Sequence, residues 1–147
     1  LKSAVEAGGV PNALPFCNTA ALPLTDSLSE VHKAQIRRIA VRYRNPQNEA
    51  NATQKDIYTK MENDLKAGKA AKPHIQQLAD GSAAYYSPII LGAPCLKCHG
   101  KKDTDILNSD YALITELYPD DRAIGFEVGD LRGMWEVIMP ENTVPKP

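Results

Sequence analysis

The chain has 147 residues, 43% hydrophobic and 24% charged, and its 17 basic and 18 acidic residues give a formal net charge of −1. That length suits a single domain burying roughly 68–70% of its unfolded surface, and the even charge balance gives no electrostatic footing for nucleic acid or an anionic membrane. No apolar run approaches the roughly 20 residues that span a bilayer.

The N-terminus, Leu1-Lys2-Ser3, has neither an initiator Met nor a hydrophobic leader core, as expected of a processed or trimmed chain. Residues 1–33 are predicted as a broken helical segment. A short amphipathic start is interrupted at Gly8-Gly9, and Pro11 suits the first turn of a second helix. That helix carries Leu14, Cys17, Ala20, Ala21, Leu24 and Leu28 along one face, with a start expected at Pro15 and a kink near Pro23. The alternation in "AQIRRIAVRYRNP" (34–46) predicts a strand ended by Asn45-Pro46, with Arg38 and Arg42 on one face. "TQKDIYTKMENDLKAG" repeats apolar residues at Ile57, Met61 and Leu65, the pattern of an amphipathic helix stopped at Gly68.

"HIQQLA" and "AAYYSPIIL" flank Asp80-Gly81 and predict a hairpin. Residues 104–118 predict a helix capped by Asp103 or Thr104 and stopped by Pro119. "AIGFEV", a turn at Gly129-Asp130 and "MWEVIMP" predict a second hairpin, and residues 141–147 read as a tail. The total is five strands, mostly joined as hairpins, with helices before and between them. Such a pattern belongs to an α+β domain with an antiparallel sheet, here one domain over 1–147.

Between the strands lies "GAPCLKCHGKK", with Cys95, Cys98 and His99 in the C-x-x-C-H arrangement of covalent haem attachment. Two thiols at this spacing reach two vinyl groups of one macrocycle, and the adjacent imidazole is offered to the iron. One helical turn from Cys95 to His99, begun at Pro94, meets that demand. A zinc reading takes Cys95 and Cys98 as half a knuckle, but its other ligands would have to come from Cys17 and a lone histidine. A thioredoxin-like dithiol wants a βαβ setting, whereas this chain reads as hairpins. The plainest alternative is two structural cysteines beside a surface histidine. Haem is the favoured reading.

"GGVPNALPFCNTAA", "IRRIAVRYRNPQNEAN", "YYSPIILGAPCLKCHG" and "YPDDRAIGFEVGDLRGMWEV" cover most of residues 8–138. In this order they resemble the bacterial family of haem-c-binding PAS-like domains, periplasmic proteins and extracytoplasmic sensor modules. The resemblance implies a PAS-like five-stranded antiparallel sheet with flanking helices, and one covalent haem c at Cys95 and Cys98. It also implies His99 as one axial iron ligand and Cys17, in the N-terminal helix, as the other. The residues alone leave Met61, Met134, Met139, His32 and His74 open for that second position, although Cys17 is the odd cysteine once two thioethers form.

Among Arg37, Arg38, Arg42 and Arg44, the guanidinium forks of Arg38 and Arg44 are the candidates for the haem carboxylates. Arg132, in "GDLRG", reads as structural and salt-bridged to a nearby acid. The functional expectation is a redox or gas-ligand sensor, not an enzyme, working with a redox partner protein or a small diatomic ligand. A soluble low-potential electron-transfer cytochrome is the alternative; a peroxidase or nitrogen-oxide reductase needs an open iron face. Thioether attachment in bacteria takes place outside the cytoplasmic membrane, so a periplasmic or otherwise exported protein is expected.

Overall fold

Residues 2–140 are described by a computed structural model, and the expected tail at 141–147 lies outside them. A helix, α1 (Lys2–His32), opens the chain, broken at Gly8 and Gly9, whose dihedrals are non-helical. It resumes ahead of Pro11 and runs through Pro15 and Pro23 with helical backbone, so the expected start at Pro15 does not occur. Both prolines face solvent, where a carbonyl left without its helical partner can turn to water.

Four strands form one antiparallel sheet: β1 (Gln35–Ile39), β2 (His74–Gln77), β3 (Ala83–Ile90) and β4 (Leu131–Met139), in the order β1-β4-β3-β2. Helix α2 (Ala52–Lys66) lies between β1 and β2 in sequence, and α3 (Leu96–His99) and α4 (Asn108–Leu117) lie between β3 and β4. The α+β class and the β2–β3 hairpin match the sequence reading, the latter turning through Gly81 at φ +83. Two expectations do not hold. The strand predicted over 34–46 ends at Ile39, which moves Arg42 and Arg44 into an irregular segment. The fifth strand, "AIGFEV", does not form; residues 123–128 run as irregular backbone. Their donors go elsewhere: Gly125 N–H to the Gly100 carbonyl at 2.7 Å and Phe126 N–H to the His99 carbonyl at 2.9 Å. A segment that spends its backbone hydrogen bonds on a neighbouring helix end has none left for a ladder.

α2 forms where expected, started by a capping box between Asn51 and Gln54. Its Ile57, Tyr58 and Met61 pack against Ile39, Ala84, Tyr86, Leu131 and Met134 of the sheet. Glu136, on this face, is buried and bound by Gln54 Nε2 at 2.6 Å and by Arg37. α4 starts later than predicted, at Asn108, because Thr104 and Asp105 are taken up in a turn. A second core joins α1 to α4 through Val10, Leu14, Ile106 and Ile114.

The opposite sheet face is different. Ile36, Tyr85, Ile89, Trp135 and Val137 alternate with the buried set and stay half-exposed. On α1, Leu24 and Leu28 continue the face of Val10, Leu14 and Cys17 at heptad spacing, yet they are 54% and 46% exposed. α4 covers only the first half of that stripe.

Candidate functional site

Residues 93–100 fold as a 3₁₀ turn, Ala93–Cys95, running into α3. Pro94 starts this turn as expected, since the first turn needs no N–H from it. Cys95 is exposed and Cys98 half-buried, and neither is in a disulfide. Cys98 packs on the Val10–Leu14–Ile106–Ile114 core. Gly100 closes α3 with its N–H on the Leu96 carbonyl at 2.8 Å. A Cβ there would lie 2.5 Å from Asp105 Cβ and 2.7 Å from the Leu96 oxygen, so a side chain after His99 would push the turn open.

The irregular segment 121–126 holds His99. Its Nδ1 is 2.7 Å from the Ala123 carbonyl, and a carbonyl can only accept, so the proton sits on Nδ1 and the Nε2 lone pair is free. Burial, with Arg132 and Arg44 nearby, holds the imidazole well below its ordinary pKa, which keeps it neutral. The Phe126 ring stands edge-on at 6.4 Å.

Arg44 ties the pieces together. Its guanidinium bonds Asp121 at 3.2 and 3.3 Å, the Cys98 carbonyl at 2.6 Å and the Ala123 carbonyl at 3.4 Å. Asp121 in turn accepts the Ala123 N–H at 2.9 Å. Arg44, expected to bind a cofactor carboxylate, has its fork filled by Asp121 and the frame that positions the motif. Arg42 does related work: it bonds the carbonyls of Arg122 and Ile124 and lies over Phe126 at 4.0 Å. Arg38 does stand free of acids among the described residues, stacked on Trp135 at 4.5 Å.

Cys17 belongs to the same neighbourhood. Burial raises its thiol pKa while Arg38 and Arg44 pull it down. Burial also raises Cys98, against Arg44, and Cys17 is among the groups that raise it further. The Cys17 thiol, the Cys98 thiol and the two guanidiniums therefore share one electrostatic environment. Among the alternatives, Met61 and Met134 are buried in the α2 core, His74 pairs with Tyr86 on the β2–β3 strands, and His32 ends α1 exposed. Met139, half-buried, ends β4 opposite Ala83. No group of three His, Cys, Asp or Glu side chains suited to a metal ion converges among the described residues, so the four-ligand zinc arrangement finds no donor set there.

Arg132 is the residue that sequence reasoning undervalued. The register steps from Ile89↔Gly133 to Ile90↔Leu131, leaving Arg132 as the extra residue of a β-bulge, a device that re-aims a side chain. Its Nε lies 3.4 Å from His99 Nδ1 and its Nη1 donates to the Arg42 carbonyl at 3.0 Å. With the Nδ1 proton turned to Ala123, the Arg132–His99 contact is a charge beside a ring and not a hydrogen bond. No carboxylate pairs with Arg132 among the described residues. Burial, with Arg44 next in weight, pushes its pKa down to about 10. Gly133, whose Cβ would meet the Ile39 oxygen at 2.6 Å, was the only sign in the sequence that the backbone is crowded there.

No curated protein matches the sequence. The chain is similar to the structure titled "Crystal structure of the cyanobacterial heme-protein Tll0287", with a TM-score of 0.66 and 31% identity, over 85% of this chain and 71% of that one. The model of the Tll0287-like family matches residues 2–140. With the family match running from α1 through β4, the chain belongs to the Tll0287-like family.

Proposed function

We propose that this chain is a c-type haem protein on a PAS-like α+β scaffold, with one haem held by thioethers at Cys95 and Cys98. His99 Nε2 and the Cys17 sulfur would be the two side-chain ligands of its iron. The observation that carries the reading is His99: its proton is fixed on Nδ1 by the Ala123 carbonyl at 2.7 Å, one turn from two unpaired cysteines. A metal-bound histidine has this arrangement, with its outer nitrogen donating to a backbone oxygen.

The surroundings suit a flat apolar group. Leu24 and Leu28 on the Cys17 face of α1, and Ile36, Trp135 and Val137 on the sheet, are apolar side chains left unburied by the protein's own packing. Bound haem supplies an iron centre that cycles between two oxidation states and takes diatomic ligands. The chain's residues set the terms. Ala123 and Asp121 orient the imidazole, Arg44 locks the α3 carbonyls to that segment, and Cys17 provides a sulfur whose proton must leave before it ligates. A sulfur that binds only as the thiolate can leave again on reprotonation; we infer a redox- or ligand-dependent switch there, hence a sensor of redox state or of a small diatomic ligand. A sulfur ligand from Cys17 would occupy the open iron position that a peroxidase needs.

Soluble electron transfer is the second reading, favoured by one observation: Cys95 and the adjacent Lys97 are exposed, leaving the attachment edge accessible to a redox partner protein. Thioether formation places the protein outside the cytoplasm. Replacing Cys17 with Ala tests the ligation. The ferric spectrum should change from six-coordinate low-spin, and an unchanged spectrum overturns the assignment. Carbon monoxide added to the reduced wild type separates the roles. Binding that displaces a ligand supports sensing, and no binding supports electron transfer.

A further inference from the structure

We propose that Arg132, with Arg38 beside it, forms the binding site for a carboxylate carried on the haem edge. The inference rests on the haem reading above and revises which arginine does this work. Three guanidiniums, those of Arg38, Arg44 and Arg132, crowd the His99 side of the sheet, and one acid, Asp121, answers them. Asp121 is already taken by Arg44.

Three further acids in the surrounding loops have partners of their own. Glu127 pairs with Lys101, Asp105 accepts the Lys101 N–H, and Asp130 accepts the Glu127 N–H. On the far sheet face Glu136 is held by Arg37 and Gln54. Arg132 spends one nitrogen on the Arg42 carbonyl, and Asp121, the acid that acts on it through space, is bonded to Arg44. A half-buried cation without a directly bonded counter-charge is costly. The β4 bulge that delivers it to His99 is a built feature, fixed on one side by Gly133 against β1 and on the other by Tyr58 Oη on the Leu131 carbonyl at 2.5 Å.

A planar guanidinium fork is the geometry for a carboxylate. Trp135, under Arg38 at 4.5 Å, holds the second cation on the same face. The ligand that fits is an anionic carboxylate on the rim of an apolar plane, which is the chemistry of a haem propionate. A free anion such as phosphate shares the charge but lacks the plane.

The test uses haem-loaded protein grown with 5-aminolaevulinate carrying ¹³C at its carboxyl, so that the haem carboxylates are marked. Redox-difference infrared spectra and reduction potentials are recorded for wild type, Arg132→Met, Arg132→Lys and, as a control, Lys97→Gln. The marked carboxylate band should move in both Arg132 variants and stay in place in Lys97→Gln. The potential should fall in Arg132→Met and be partly restored in Arg132→Lys. If Arg132→Met lowers the thermal midpoint but leaves the marked band where it was, the residue is only structural and the proposal is overturned. If phosphate shifts the wild-type potential, Arg132→Met abolishes that shift and the marked band is unmoved, the site takes a free anion instead, which also overturns it. Wild-type protein that carries no covalent haem fails at the earlier step and removes the haem reading itself.

Discussion

At the scale of single residues, His99 and Arg44 divide the work of the site. The imidazole has a fixed tautomer because the Ala123 carbonyl takes its Nδ1 proton. That carbonyl stays in place because Asp121 accepts the Ala123 N–H while Arg44 grips Asp121 and the Cys98 carbonyl. Arg44 and Asp121 have side chains only 12% and 8% exposed, so removing one leaves the other buried and unpaired. Arg44→Met should therefore destabilise the protein by about 3–5 kcal/mol, the range for breaking a buried pair from one side. Chemical denaturation measures it, and a loss below about 1 kcal/mol, the value of a surface pair, would show the contact to be incidental. Arg44→Lys should recover only part of the loss, since a point charge cannot reach Asp121 and two carbonyls at once.

At the scale of elements, sequence pattern was readable where one element packs on another and unreadable where backbone packs on backbone. α2 and the β2–β3 hairpin follow from the spacing of Ile57, Met61 and Leu65 and from Asp80-Gly81, since local chemistry decides both. "AIGFEV" has strand composition, but its N–H groups are claimed by Gly100 and His99, a partnership that no local pattern encodes. The same holds for Arg42 and Arg44, which alternate like strand residues yet lie beyond Ile39, where β1 ends. The C-x-x-C-H spacing of Cys95, Cys98 and His99 is a local motif and can be read directly from the sequence. The orientation of Arg132 cannot, because a register slip in β4 decides it.

Tyr58 anchors that slip from α2. Burial, with Glu62 next, pushes its pKa from 10 up to about 12. The folded state thus holds the proton more tightly than the unfolded one, and the stability this provides is present below pH 10 and lost as pH rises through 10 to about 12. Urea midpoints should fall steeply across that window and less steeply in Tyr58→Phe, which also forfeits about 1 kcal/mol of hydrogen bond at neutral pH. Equal slopes would mean that Tyr58 does not titrate with unfolding.

At the scale of the whole molecule, the protein's packing is one-sided. α2 fills one face of the sheet with a dry core, while the other face and the second half of the α1 stripe keep Trp135, Val137, Leu24 and Leu28 partly in water. Apolar surface left open in this way is where the proposed haem would pack. The haem-free chain should bind a hydrophobic dye such as ANS, and the haem-loaded chain should bind much less; equal dye fluorescence would place the cofactor elsewhere.

Everything here depends on whether a haem is joined to Cys95 and Cys98. The most direct measurement is acid–acetone extraction of the purified protein, followed by a pyridine haemochrome spectrum of the precipitate. The account predicts that the Soret absorption stays with the polypeptide and is lost when Cys95 and Cys98 are both replaced by Ser. Colour that passes entirely into the acetone, or a colourless protein, would contradict it.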